Sequence, residues 1–213
     1  MHRLAAGRLP VDGEEDLVRA VRGANGDLWA HTQRDPSLAG MATTLTGLVV
    51  TTDGGILLAH SGDSRAYRLR ADSLTLQTRD DSLVQELVDH GIIAPDQAAT
   101  HPRRNIVTAS LGGGEHDGLT VVVADAVVGD RWLLCSDGVS DYLPGEEIAD
   151  ALAGGAVTDA ADAVVSRALE AGTRDNVTAV VCDVVDGDRV AREDPHFHGA
   201  AEARSAERLD DAS

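Results

Sequence analysis

Between Glu14 and Gln33 the apolar residues Leu17, Val18, Val21, Ala24, Leu28 and Trp29 recur at three- and four-residue steps, which predicts an amphipathic helix ended by Asp35-Pro36. The pattern then shortens. Met41 to Thr52 is rich in Thr, Val and Leu, Asp53-Gly54-Gly55 supplies residues suited to a tight turn, and Ile56 to His60 follows as the antiparallel partner. Ser64 to Leu69 and, across Ala71-Asp72-Ser73, Leu74 to Thr78 predict two more short strands continuing a meander.

Helical spacing returns at Ser82 to His90, where Leu83, Val84 and Leu87 share a face, Ser82 can cap the start and Gly91 the end. Ala94 to Thr100 predicts a further turn of helix with Pro95 near its start, closed by His101-Pro102. Two apolar strands, Leu119 to Ala126 and Arg131 to Cys135, joined through Gly129-Asp130, predict a second sheet. Helices over roughly Pro144 to Leu152 and Asp159 to Ala171 precede a last strand, Val177 to Val185. Hairpins rather than strict βαβ alternation predict an α+β fold, with antiparallel sheets covered by helices. Beyond Asp188 large apolar residues almost vanish, so 189–213 reads as a disordered tail after a domain at 1–188.

Composition narrows the chemistry. Hydrophobic residues are 43% and charged residues 25% of 213, ordinary values for a chain that buries a core. A net charge of −18 repels nucleic acid and anionic membranes, and aromatics at 2% leave no base-stacking platform. There is no lysine, which excludes both a Walker-type phosphate loop and Schiff-base chemistry. Cys135 and Cys182 lie far apart within apolar runs, as buried free thiols of a reducing compartment would, so a cytoplasmic protein is expected. No stretch is long and apolar enough to span a bilayer.

Three aspartates stand where a strand meets a loop: Asp63 in Gly62-Asp63-Ser64, Asp137 in Ser136-Asp137-Gly138 with Asp141 four residues on, and Asp175 in Arg174-Asp175-Asn176. Such residues either cap turns through side-chain hydrogen bonds or, if the fold converges them, hold a cation. Oxygen-only ligation, without His or Cys beside them, selects Mg²⁺ or Mn²⁺ over zinc or copper. Cys135 adjoins this region, but an apolar strand raises a thiol pKa and no His is near in sequence, which argues for packing rather than nucleophilic attack. Arg65 is expected to pair with a carboxylate at the core edge, and His196 and His198 to belong to the solvated tail.

Taken in order, Met41-Ala42-Thr43-Thr44-Leu45-Thr46, Gly62-Asp63-Ser64-Arg65-Ala66-Tyr67, Leu134-Cys135-Ser136-Asp137-Gly138-Val139-Ser140-Asp141 and Asp175-Asn176-Val177-Thr178 resemble the metal-dependent PPM-type (type 2C) serine/threonine protein phosphatases of bacteria, over roughly Leu17 to Val185. The resemblance implies a sandwich of two antiparallel sheets flanked by helices, a binuclear Mn²⁺ or Mg²⁺ centre, and phosphoserine and phosphothreonine proteins as substrates, hydrolysed by a metal-bound hydroxide. It implies that Asp137 and Asp175 are ligands of one metal of the pair and that Asp63, Asp137 and Asp141 serve a third site. Thr43 and Thr44 are expected to pack. No catalytic residue beyond metal ligands is implied within this chain. The family's Asp-Gly-Met-Gly-Gly-His motif, whose Asp bridges the two metals, does not occur in it; Asp12-Gly13 continues as Glu14-Glu15. The domain is therefore expected to be incomplete at its N-terminus through a start placed too late. The other reading of such a chain is a phosphatase-fold interaction module without catalysis.

Overall fold

Leu17 and Val21, one turn apart on helix α1 (Glu14–Arg34), are buried against Leu57, Ala59 and Val121. Those partners belong to a three-stranded antiparallel sheet of β1 (Leu45–Val50), β2 (Ile56–Ser61) and β5 (Thr120–Val123), in the order β1-β2-β5. The protein is seen here as a computed structural model that describes residues 11–112 and 117–187. Pro10–Asp186 gathers into one compact unit, and the tail expected at 189–213, with His196 and His198, lies outside the described residues.

A second antiparallel sheet is built from β3 (Arg65–Arg70), β4 (Ser73–Leu76), β6 (Arg131–Cys135) and β7 (Ala179–Asp183), ordered β4-β3-β6-β7. Its outer face carries Tyr67, Leu69, Leu133 and Cys135. These pack with Ile148 and Leu152 of α5 (Gly145–Leu152) and Val164 and Ala168 of α6 (Val157–Glu170). Strand alternation turns Leu58, Ala66 and Trp132, all buried, toward the space between the sheets, where β1 lies against β3 and β6. The expected α+β sandwich is thus present.

Several connections differ from expectation. β2 and β3 do not continue one meander, because Gly62, at φ +110, turns the chain out of the first sheet and into the second. A Cβ on Gly62 would stand 2.7 Å from Cβ of Thr44, so the crossing needs glycine for space as well as for backbone angle. β5 and β6 likewise fall in different sheets rather than pairing. The link between them is fixed by ion pairs. Asp130, buried, accepts from Arg70 Nε at 2.6 Å and Nη2 at 2.8 Å, while Asp125 accepts from Arg68 and Arg70.

Between the sheets' sequences runs an outlying lobe with α2 (Leu83–Asp89) and α3 (Pro95–Ala98). Ser82 caps α2 as expected, its hydroxyl accepting from the Gln85 amide, and Gly91 beyond the helix has φ +66. Asp81 joins the lobe to the crossing: the Gly62 amide donates to its carboxylate at 2.9 Å, and the Asp81 amide donates back to the Gly62 carbonyl at 2.8 Å. No helix among the described residues is long and apolar enough to cross a membrane.

Candidate metal centre

Register decides where the aspartates go. Arg65 of β3 pairs with Cys135 of β6, which pairs with Ala179 of β7, so three strands are aligned at one end of the second sheet. Asp63 lies two residues before the first of these, Asp137 two after the second, and Asp175 four before the third. Positions distant in sequence are thereby delivered to one edge by backbone hydrogen bonding alone.

Two local devices close the gap between Asp137 and Asp175. Asp137 opens a single turn of helix, α4 (Asp137–Ser140), which strand periodicity did not reveal. Ser136 precedes it, and its hydroxyl donates to the Asn176 carbonyl and accepts from the Thr178 amide, both at 3.1 Å, while its own amide donates to the Thr178 carbonyl at 3.1 Å. Gly138 then allows contact of backbone with backbone: a Cβ there would overlap the Asn176 carbonyl oxygen and lie 3.0 Å from its carbon.

Asp63, Asp137 and Asp141 line one cavity of about 450 Å³, together with Asp80 and Ser140. Asp175 does not line it, yet its charge reaches Asp137. Burial, then repulsion from Asp175 and from Asp141, raises the Asp137 carboxyl above its ordinary value. Asp63 is raised by burial first, then by Asp137, Asp80 and Asp141. Asp141 itself is paired with Arg104 at 3.6 Å. The four aspartates singled out from the sequence are therefore brought to one region, Asp137 lying between the pocket of Asp63 and Asp141 and the loop of Asp175.

Sequence reasoning missed the support behind them. Asp80 accepts from Arg65 Nε at 2.9 Å and Nη2 at 2.7 Å. Burial alone would lower the Arg65 pKa, but these bonds and the Asp80 charge raise it, so the guanidinium stays charged beside Asp63. Arg65 was expected to pair with a carboxylate; the partner, fifteen residues on, has no local signature. Thr44 does pack, and its hydroxyl lies 3.0 Å from that of Ser64, whereas Thr43 is exposed and bridges to Leu111. Cys135 is buried and its thiol pushed up to about 12, chiefly by burial, which excludes it as a nucleophile near neutral pH.

Donor chemistry fits a hard divalent cation: carboxylates raised by burial and then by mutual repulsion, and Ser140 Oγ buried with no hydrogen-bond partner among the described residues. The fit is to part of a coordination shell, since no three His, Cys, Asp or Glu side chains among the described residues are grouped closely enough to hold one ion unaided.

Comparison with known proteins places these features in context. No family model matches the chain. The serine/threonine protein phosphatase PstP of Mycobacterium tuberculosis is 44% identical over 172 residues, 81% of this chain and 33% of that protein, so the chain spans about a third of this relative's length. The protein phosphatase PhpP of Streptococcus pneumoniae is 35% identical over 84% of this chain and 75% of its own length. The crystal structure of the PstP catalytic domain in complex with two manganese ions superposes with a TM-score of 0.73 at 42% identity, covering 81% of this chain and 71% of that one.

Proposed function

Because the chain belongs to the bacterial PPM-type serine/threonine protein phosphatases, we propose that it takes part in metal-dependent hydrolysis of phosphoserine and phosphothreonine monoesters in proteins. The observation that carries this reading is the alignment of Arg65, Cys135 and Ala179 across three strands, which draws Asp63, Asp137 and Asp175 to one sheet edge. Asp137 and Asp175 would supply part of the shell of one ion of a manganese or magnesium pair, and Asp63, Asp137 and Asp141 part of the shell of a further one. Bound there, such ions supply Lewis-acid polarisation of the phosphoryl oxygens and an acidified water.

The chain's own residues do the arranging. Ser136 ties the Asp175 loop to the strand end, and Gly138 sets its distance. The Arg65–Asp80 ion pair, 2.7 Å apart, stands beside Asp63 on the same cavity. Arg104 and Asp141 close the rim. No side chain of this chain acts as a separate general acid or base in this reading. Free thiols at Cys135 and Cys182 suit the cytoplasm.

The test is hydrolysis of p-nitrophenyl phosphate by the purified chain with Mn²⁺. Turnover abolished by chelator and by Asp137→Asn supports the proposal. A second reading, a phosphatase-fold interaction module, is favoured by the incomplete ligand grouping. Mn²⁺ binding without turnover would overturn hydrolysis by this chain, and only capture of a protein partner would then establish the module.

A further inference from the structure

Among the described residues, three buried side-chain nitrogen or oxygen atoms have no hydrogen-bond partner: Arg68 Nε, Trp132 Nε1 and Ser140 Oγ. The first two are N–H donors with no lone pair to offer a cation, whereas the serine hydroxyl has two. We propose that Ser140 Oγ is itself a ligand of the ion to which Asp63, Asp137 and Asp141 supply part of the shell. The inference rests on the metal-dependent phosphatase reading above.

Helix geometry comes first. Asp137, Ser140 and Asp141 stand at positions i, i+3 and i+4 along α4 and its C-terminal cap, so their side chains share one face. All three line the cavity that also holds Asp63. The missing partner comes second. A serine inside a helix often bonds back to the carbonyl four residues earlier, but here the Ser140 amide reaches the Ser136 carbonyl at 3.4 Å and the hydroxyl bonds to nothing. A buried hydroxyl left in that state is destabilising, and the position calls for a partner. Room comes third. Oγ is covered from solvent, and a hydrogen-bonded water would stand about 2.8 Å away, whereas Mg²⁺ takes oxygen at about 2.0–2.1 Å and needs less space. Charge comes last. No three acidic side chains among the described residues group closely enough to hold an ion unaided, and a hard cation takes about six oxygens. An uncharged oxygen adds a donor without adding to the repulsion among Asp63, Asp137 and Asp141.

Calorimetric titration of the metal-stripped chain with Mn²⁺, beside Ser140→Ala and Ser140→Cys, tests this. Ser140→Ala is expected to weaken at least one Mn²⁺ binding step about tenfold. Its metal-free melting temperature should stay level or rise, because the change deletes a buried hydroxyl that has no partner. A hydroxyl that serves only the fold predicts the reverse, so unchanged Mn²⁺ affinity, or earlier melting of the metal-free variant, overturns the inference. In Ser140→Cys the softer sulfur favours Cd²⁺ over Mn²⁺, and Cd²⁺ should raise an ultraviolet sulfur-to-metal absorption band. The parent, with its free Cys135 and Cys182, is the control and should lack that band. A folded Ser140→Cys chain without the band also overturns the inference, and Ser140→Ala decides alone if the cysteine variant fails to fold. Turnover of p-nitrophenyl phosphate reports on the phosphatase reading separately. A parent that binds Mn²⁺ without turnover sinks the hydrolysis and leaves the ligand; equal Mn²⁺ affinity in parent and Ser140→Ala sinks the ligand and leaves the hydrolysis; a parent that binds no Mn²⁺ overturns both.

Discussion

Gly138→Ala tests whether the approach of two loops sets the metal-binding geometry. The added methyl carbon would overlap the Asn176 carbonyl oxygen and stand 3.0 Å from its carbon and 3.5 Å from Cα of Val177. These are backbone atoms, which cannot swing aside as a long side chain could. The segment is also tied by the Ser136 hydroxyl to Asn176 and Thr178. Relief therefore means withdrawal of the loop bearing Asp175, by a displacement on the order of 1 Å, enough to spoil a site that needs tolerances of about half that. Overpacking of this kind costs about 1–3 kcal/mol. For a domain of this size each kcal/mol lowers the melting temperature by about 2–4 °C, so a fall of roughly 2–12 °C is expected. Mn²⁺ affinity, measured by isothermal titration calorimetry, should drop at least about tenfold. Gly23→Ala is the internal comparison: Gly23 lies inside α1 with nothing within 4 Å of a Cβ, and the same change there should stabilise by about 0.5–1 kcal/mol. A Gly138→Ala protein that melts early yet binds Mn²⁺ as tightly as the parent would show that the contact is packing only, and unchanged melting would refute the clash itself.

Asp63 and Asp137 have raised carboxyl pKa values in the folded chain, so without ions the stability they favour is present at low pH and lost as pH rises through those values. Mn²⁺ replaces the protons, and the melting-temperature gain it gives should be larger at pH 7.5 than at pH 5; equal gains in calorimetry would contradict this. Asp130→Ala removes a buried carboxylate that accepts from Arg70 and from the Val127 amide, and should cost about 2–4 kcal/mol in urea unfolding, with a loss below about 1 kcal/mol counting against the account. Arg65→Ala leaves Asp80 unpaired beside Asp63 and should destabilise by about 3 kcal/mol, whereas Arg65→Ala with Asp80→Ala should recover part of that loss; strict additivity in the double-mutant cycle would disprove the coupling.

Local pattern was enough to place the elements. The three- and four-residue spacing of Leu17 and Val21 marked the buried face of α1, and Ser82 with Gly91 bounded α2, because caps and amphipathic faces depend on neighbours a few residues away. The aspartates were visible for the same reason, as acidic residues beside turns. What local pattern misjudged were the connections: β2 to β3 read as one continuing meander and β5 to β6 as joined strands of one sheet, since turn residues signal a change of direction and not the sheet to which the chain goes next.

Sequence alone thus determined the fold class, the strands and helices other than the turn at Asp137–Ser140, and the four carboxylates worth following. Only tertiary structure decided that Arg65, Cys135 and Ala179 share a register, that Asp80, paired with Arg65, lines the same cavity as Asp63, and that Ser140 Oγ is buried without a partner among the described residues. The reason is physical. Helix faces and turns follow from interactions within a few residues, whereas a site assembled from three separate segments exists only once hydrogen bonds between distant strands have fixed which ends coincide.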